Sequence, residues 1–175
     1  SIDKPWLKYY EESALTYETP SKKIYDCIYD ENKDFPNDIA LEYYGRKITY
    51  QELFDNVESL AKAFKHNGVM ENDIVTVGML TTPEAIYTML ALNKIGAIPS
   101  MIDPRSSVKG IQKYLRDNGS DLVIITDLFK SKFKKAMENT PVKQVITSSV
   151  LDSVQKWPFN NDKLYKIYEH IGGNE

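Results

Sequence analysis

Leu92-Asn93-Lys94-Ile95-Gly96-Ala97-Ile98-Pro99-Ser100-Met101-Ile102-Asp103 decides how the rest of the chain is laid out. It reads as the last turn of a helix, a glycine stop, a short apolar strand and an Asp-Pro turn. A glycine just past a helix takes the left-handed conformation without a Cβ penalty. Ala97 to Ile102 is apolar on both faces apart from Ser100, the pattern of a strand covered on both sides. The expectation is a strand in the middle of a layered α/β structure. No catalytic constellation is visible in or around it.

Working outward, Asp73 to Leu80 reads as a buried strand, and Thr82 with Pro83 caps and opens the next helix. That helix, Glu84 to Ile95, carries only Glu84 and Lys94 as charges, so cover on more than one side is expected. Downstream, Ser106 or Ser107 caps a helix bearing Val108, Ile111, Tyr114 and Leu115, which Asn118-Gly119 closes. Leu122-Val123-Ile124-Ile125 is a third buried strand; Leu128, Phe129, Phe133 and Met137 line a helix; Val145-Ile146-Thr147 is a fourth strand. Strands alternating with helices through short joins call for a mostly parallel sheet with right-handed crossovers.

Toward the N-terminus, Ile39–Tyr44, Gly45-Arg46 and Lys47–Thr49 spell a hairpin. Thr49-Tyr50-Gln51-Glu52 is a capping box opening a helix on which Tyr50, Leu53, Phe54, Val57, Leu60, Ala61 and Phe64 share a face. Before it, Ile24, Cys27 and Ile28 fall at helical spacing with Ser21 as the expected N-cap. Three regions result: an arm over 1–20 whose Trp6, Tyr9, Tyr10 and Tyr17 are expected to lie against the body, an α/β subdomain over 21–150, and a helical tail over 151–175 carrying Leu164, Ile167 and Ile171.

The bulk numbers narrow the class. The chain has 175 residues, 42% hydrophobic and 27% charged, with a net charge of -3, which provides no basic footprint for nucleic acid. A single cysteine, Cys27, excludes an internal disulfide framework and a Cys-rich zinc site. No apolar run approaches the ~20 residues of a membrane span, and the start is not a signal peptide. A cytoplasmic protein is expected.

Two stretches carry a family resemblance. Ile48-Thr49-Tyr50-Gln51-Glu52-Leu53 is similar to the first core motif of the adenylate-forming enzymes, Leu-Thr/Ser-Tyr-x-Glu-Leu. Leu92 to Asp103 resembles their second, Leu-Lys-Ala-Gly-x-x-x-x-Pro-Leu-Asp, with Asn93, Ile95 and an early Pro99 departing from it. Asn72–Val75 and Tyr114–Asp127 fit the same pattern. The resemblance implies the large N-terminal domain of the AMP-dependent synthetase/ligase fold, close to the acyl-CoA synthetases. It implies an intact enzyme that activates a small carboxylate as acyl-AMP with ATP and magnesium, then passes the acyl group to a thiol such as coenzyme A. The family's Ser/Thr/Gly-rich phosphate loop ending in Pro-Lys is not found here: the late glycines, Gly172 and Gly173, have no such neighbours. The chain is therefore expected to be an N-terminal portion without a cofactor or activity of its own. Its partner would be the remainder of the same polypeptide, and uncovered apolar surface would promote self-association.

Individual residues are weighed against plain structural roles. Thr49 and Glu52 are explained by capping. Gly78 begins Gly-Met-Leu-Thr-Thr-Pro, which lacks the glycines of a dinucleotide loop. Free amides near Thr81-Thr82 form a candidate anion site, partly used by the cap. Asp103 and Asp127 follow strands at the ends where ligands gather, so a magnesium or phospho-acceptor role stands beside turn formation and helix initiation. His66 and His170 have no ligand-type neighbours in sequence, and Cys27 reads as core. Lys130, Lys132, Lys134 and Lys135 form the basic cluster; the resemblance makes Lys134 the candidate contact to a coenzyme A phosphate, against a solvated helix face. The rival readings are a free-standing flavodoxin-like binding or signalling module using Asp103 or Asp127, and a structural interaction domain without a ligand.

Overall fold

Gly96 ends its helix in the left-handed region, at φ 84°. A Cβ there would also lie 2.8 Å from Cγ of Glu71. The computed structural model describes residues 3–154; the expected tail helix falls outside them. In order, the described elements are α1 (Glu12–Leu15), α2 (Ile24–Asn32), β1 (Ile39–Tyr43), β2 (Arg46–Thr49), α3 (Tyr50–His66), β3 (Ile74–Gly78), α4 (Pro83–Ile95), β4 (Ile98–Met101), α5 (Val108–Asn118), β5 (Leu122–Thr126), α6 (Lys130–Ala136) and β6 (Gln144–Ser148).

β1 and β2 pair antiparallel as the expected hairpin. Tyr44 and Gly45 both take positive φ, 43° and 85°, the backbone signs of a primed two-residue turn whose twist suits the flanking strands. Thr49 Oγ1 accepts the Glu52 amide at 3.2 Å, and Glu52 Oε2 accepts the Thr49 amide at 2.9 Å. This closes the capping box at the head of α3.

The other four strands form one parallel sheet in the order β4-β3-β5-β6. The chain order reverses between β3 and β5, the doubly wound arrangement. Burial alternates accordingly. On one face α3 and α4 cover Val75, Val77, Leu122 and Ile124; on the other, Ile111, Leu115, Phe133 and Ala136 of α5 and α6 cover Val123 and Ile125. α4 buries residues around most of its circumference, including Ala85, Tyr87, Leu90, Ala91 and Leu92, as its scarcity of charge requires. Thr82 Oγ1 caps it from the Ala85 amide, and Ser107 Oγ caps α5 from the Gly110 amide.

Three expectations are corrected. β4 is an edge strand, with Ile98 and Met101 each 48% exposed. The Ile98 and Ile102 amides bond toward β3, to Asp73 and Val77 carbonyls, so Pro99 and Met101 turn their backbone outward. Proline has no donor to lose there, which is why it is tolerated on an edge. The Met101 carbonyl accepts the Tyr114 hydroxyl at 3.1 Å. Second, Ser21 is not the N-cap of α2: Lys23 holds that position with no side-chain cap, and the buried residue is Tyr25 rather than Ile24. Tyr25 anchors through its amide, which donates to Asn93 Oδ1 at 2.9 Å, and through Lys94 Nζ, 4.1 Å above its ring. Third, the arm's aromatics do not pack on the body; Trp6, Tyr9, Tyr10 and Tyr17 are all exposed.

Candidate functional site

In a doubly wound sheet, ligands gather at the carboxyl ends of the strands where the order reverses. Here that place lies between the ends of β3 and β5, and it is closed. The Leu80 amide, just after β3, donates to Thr126 Oγ1 at the end of β5 at 3.1 Å. Gly78 is covered by the Phe133 ring of α6: a Cβ at Gly78 would sit 2.4 Å from its Cζ. The glycine serves packing between strand and helix rather than approach to a phosphate.

The two strand-end acids each accept an amide of their own turn. Asp103 Oδ1 accepts the Arg105 amide at 2.9 Å, and its carboxylate holds the Arg105 guanidinium at 2.8 Å. That hydrogen bonding lowers the Asp103 pKa to about 2. Asp127 Oδ1 accepts the Leu128 amide at 2.8 Å, opening a three-residue 3-10 helix, Asp127–Phe129. Among the described residues no group of three or more His, Cys, Asp or Glu side chains is placed to hold a metal ion.

The basic cluster divides. Lys132 Nζ reaches the Pro104 and Arg105 carbonyls at 3.2 and 3.3 Å and lies 5.3 Å over the Phe129 ring, tying α6 to the loop after β4. Lys134 and Lys135 are exposed on α6. His66 lies in the last turn of α3, and Cys27 is half-buried.

Sequence reasoning missed a second cluster on the α3–α4 face. Ser153 donates to Glu84 Oε1, and the Tyr43 hydroxyl donates to the Val150 carbonyl at 3.1 Å, so residues 150–153 lie along α4 and the hairpin. Burial, helped by Tyr44 and Glu84, pushes the Tyr43 phenol up to about 12. Burial likewise raises the Tyr87 phenol. Glu84, Tyr87 and Ser153 line a cavity of about 400 Å³ with Arg46, Ile124 and Ile146. The available signal was Glu84 itself, the one acid in an otherwise uncharged stretch of α4; its partner Ser153, 69 residues away, had none.

Comparison with known proteins agrees with the fold. A family model described as AMP-binding enzyme matches residues 28–169. The chain is 36% identical over 131 residues to an acetyl-coenzyme A synthetase of Bartonella bacilliformis, covering 71% of this chain and 19% of that protein. It is 26% identical over 165 residues to a long-chain-fatty-acid–CoA ligase of Bacillus subtilis, covering 94% and 29%. Among solved structures, a benzoate CoA ligase from Burkholderia xenovorans superposes with a TM-score of 0.70 at 19% identity, over 76% of this chain and 27% of that one. The chain thus spans less than a third of these proteins. With matching motifs, a matching sheet and a family match over most of its length, the chain belongs to the AMP-binding enzyme family.

Proposed function

We propose that this chain is the N-terminal scaffold of an ATP-dependent acid–thiol ligase, and that the rest of the site is contributed by sequence beyond it. In that reading the longer protein joins a carboxylate to AMP, releasing pyrophosphate, and a thiol then displaces AMP from the acyl carbon. ATP, magnesium and coenzyme A serve the longer protein; the 175 residues alone turn nothing over. The observation that supports this is the family match over residues 28–169 in a chain that spans less than a third of the synthetases and ligases it resembles. What the strand ends offer is a rigid rim. Lys132 locks the loop after β4 against α6, and the hairpin and residues 150–153 close against α4.

Pyrophosphate exchange into ATP tests the reading. The isolated chain is expected to give no exchange with acetate, benzoate or long-chain acids, whereas a protein in which it continues into a Ser/Thr/Gly-rich loop ending in Lys gives acid-dependent exchange. Turnover by the isolated chain overturns it. Within the longer protein, the exposed position of Lys134 fits contact with a coenzyme A phosphate. Lys134→Ala is expected to raise the apparent KM for coenzyme A and leave adenylate formation unchanged; an unaltered coenzyme A dependence rejects that role. Exposed Ile98 and Met101 on β4 support self-association of the chain through uncovered apolar surface.

A further inference from the structure

The cavity between α3, α4 and β6 holds an imbalance. Tyr87 is 5% exposed, yet its hydroxyl has no hydrogen-bond partner, and neither has the buried Oε2 of Glu84. Buried polar atoms are normally paired, so each such exception calls for a partner. Both residues line the same space of about 400 Å³.

Arg46, Glu84 and Asp152 are the charged residues of the lining. Arg46 pairs with Glu52 at 3.9 Å, and its charge also reaches the Tyr87 hydroxyl. Asp152 Oδ2 accepts the Ser149 amide and the Ser148 hydroxyl at 2.9 and 3.3 Å. Glu84, in the first turn of α4 where the helix N-terminus favours a carboxylate, accepts the Ser153 hydroxyl on Oε1, and its Oε2 is left as an open acceptor on the cavity side. The absence of a three-ligand acid or His/Cys cluster among the described residues argues against a metal ion as the counter-charge. The floor is hydrocarbon: Leu60, Phe64, Ile124 and Ile146.

We propose that this cavity is a binding site for a small primary alkylammonium compound, its head group donating to Glu84 Oε2 and the Tyr87 hydroxyl and its chain lying on Leu60, Phe64, Ile124 and Ile146. An ammonium carries three donors, which matches one charged and one neutral oxygen with a donor left for the solvent side. Burial keeps the Tyr87 phenol protonated and able to accept. The site is independent of the ligase reading, because it needs neither ATP nor any residue outside the described chain.

Titration of the 175-residue chain with n-pentylammonium, followed by amide chemical shifts and calorimetry, tests the proposal, with 1-pentanol and pentanoate as neutral and anionic counterparts. Saturable binding with Kd of about 1 mM is expected for the amine, with shifts centred on Tyr87, Thr88 and Ser153. Glu84→Gln is expected to weaken it roughly tenfold or more, since a charged partner is replaced by a neutral one. Tyr87→Phe removes a hydroxyl that lies near Ser153 without making a hydrogen bond of good geometry in the free protein. It should leave Tm unchanged or raise it while weakening the amine several-fold. This variant decides the matter if Glu84→Gln fails to fold. No saturation by tens of millimolar, equal binding of pentanol, or full affinity in Tyr87→Phe would overturn the assignment and leave the two atoms to a bridging water.

Discussion

Gly78 and Asp103 are where single residues make the sharpest claims. Gly78→Ala drives a methyl into the fully buried Phe133 ring, and overpacking of this kind costs about 1–3 kcal/mol. Denaturant unfolding of Gly78→Ala should show that loss. Phe133→Leu in the same background should recover part of it, so the pair is non-additive. At Asp103 the Arg105 guanidinium and amide hold the carboxyl at about 2. A depressed folded-state pKa means the turn gains from ionisation above the ordinary carboxylate range and loses that gain as pH falls through about 2. In a carboxyl-carbon NMR titration, Arg105→Ala is expected to move the Asp103 midpoint up toward 3.8; an unmoved midpoint would mean the guanidinium is not the cause. Tyr43 has the opposite sign. Its raised pKa leaves stability untouched below the ordinary phenol value and erodes it between about 10 and 12, an alkaline loss that Tyr43→Phe should abolish.

At the scale of elements, local chemistry was readable and pairing was not. The Thr49–Glu52 box, the Thr82 and Ser107 caps and the Gly96 stop each depend on residues within four positions of one another, and the sequence displays all of them; the hairpin was legible too, but its turn falls one residue earlier than expected, on Tyr44-Gly45 rather than Gly45-Arg46. Thr49→Ala is accordingly expected to cost about 1 kcal/mol in equilibrium unfolding, the worth of a lost N-cap. Ser21 misled because a capping residue was sought by type, whereas α2 is fixed by contacts from α4 that lie 68 positions away, Asn93 to Tyr25. β4 misled because an apolar run looks alike in a central strand and in an edge strand. Strand order is a property of the whole sheet, and only Pro99 hinted at the edge. At the candidate site the same division holds. The Asp103 turn and the Asp127 helix start are local bonds that the sequence displays, while the Glu84–Ser153 and Leu80–Thr126 contacts join residues far apart in the chain.

Among the described residues the sheet is stratified about β3 and β5, each of which is paired on both sides while β4 and β6 are paired on one. Amides that open only with global unfolding are drawn from such inner strands, so native-state hydrogen exchange should be slowest in Val75–Val77 and Val123–Ile125 and faster in β6. Equal protection across the sheet would contradict this layering. Light scattering across a concentration series should detect self-association, and Ile98→Lys with Met101→Lys should suppress it; a monomer at all concentrations rejects the proposal.

The flank presented by β4 carries a further consequence. Its outward-facing backbone offers a proline nitrogen with no hydrogen and a Met101 oxygen engaged by Tyr114. An incoming strand finds only half of the usual ladder here, the Pro99 carbonyl and the Met101 amide, so fibril-like stacking is discouraged along this side. Grease with a broken template favours side-chain docking, a contact that comes apart again.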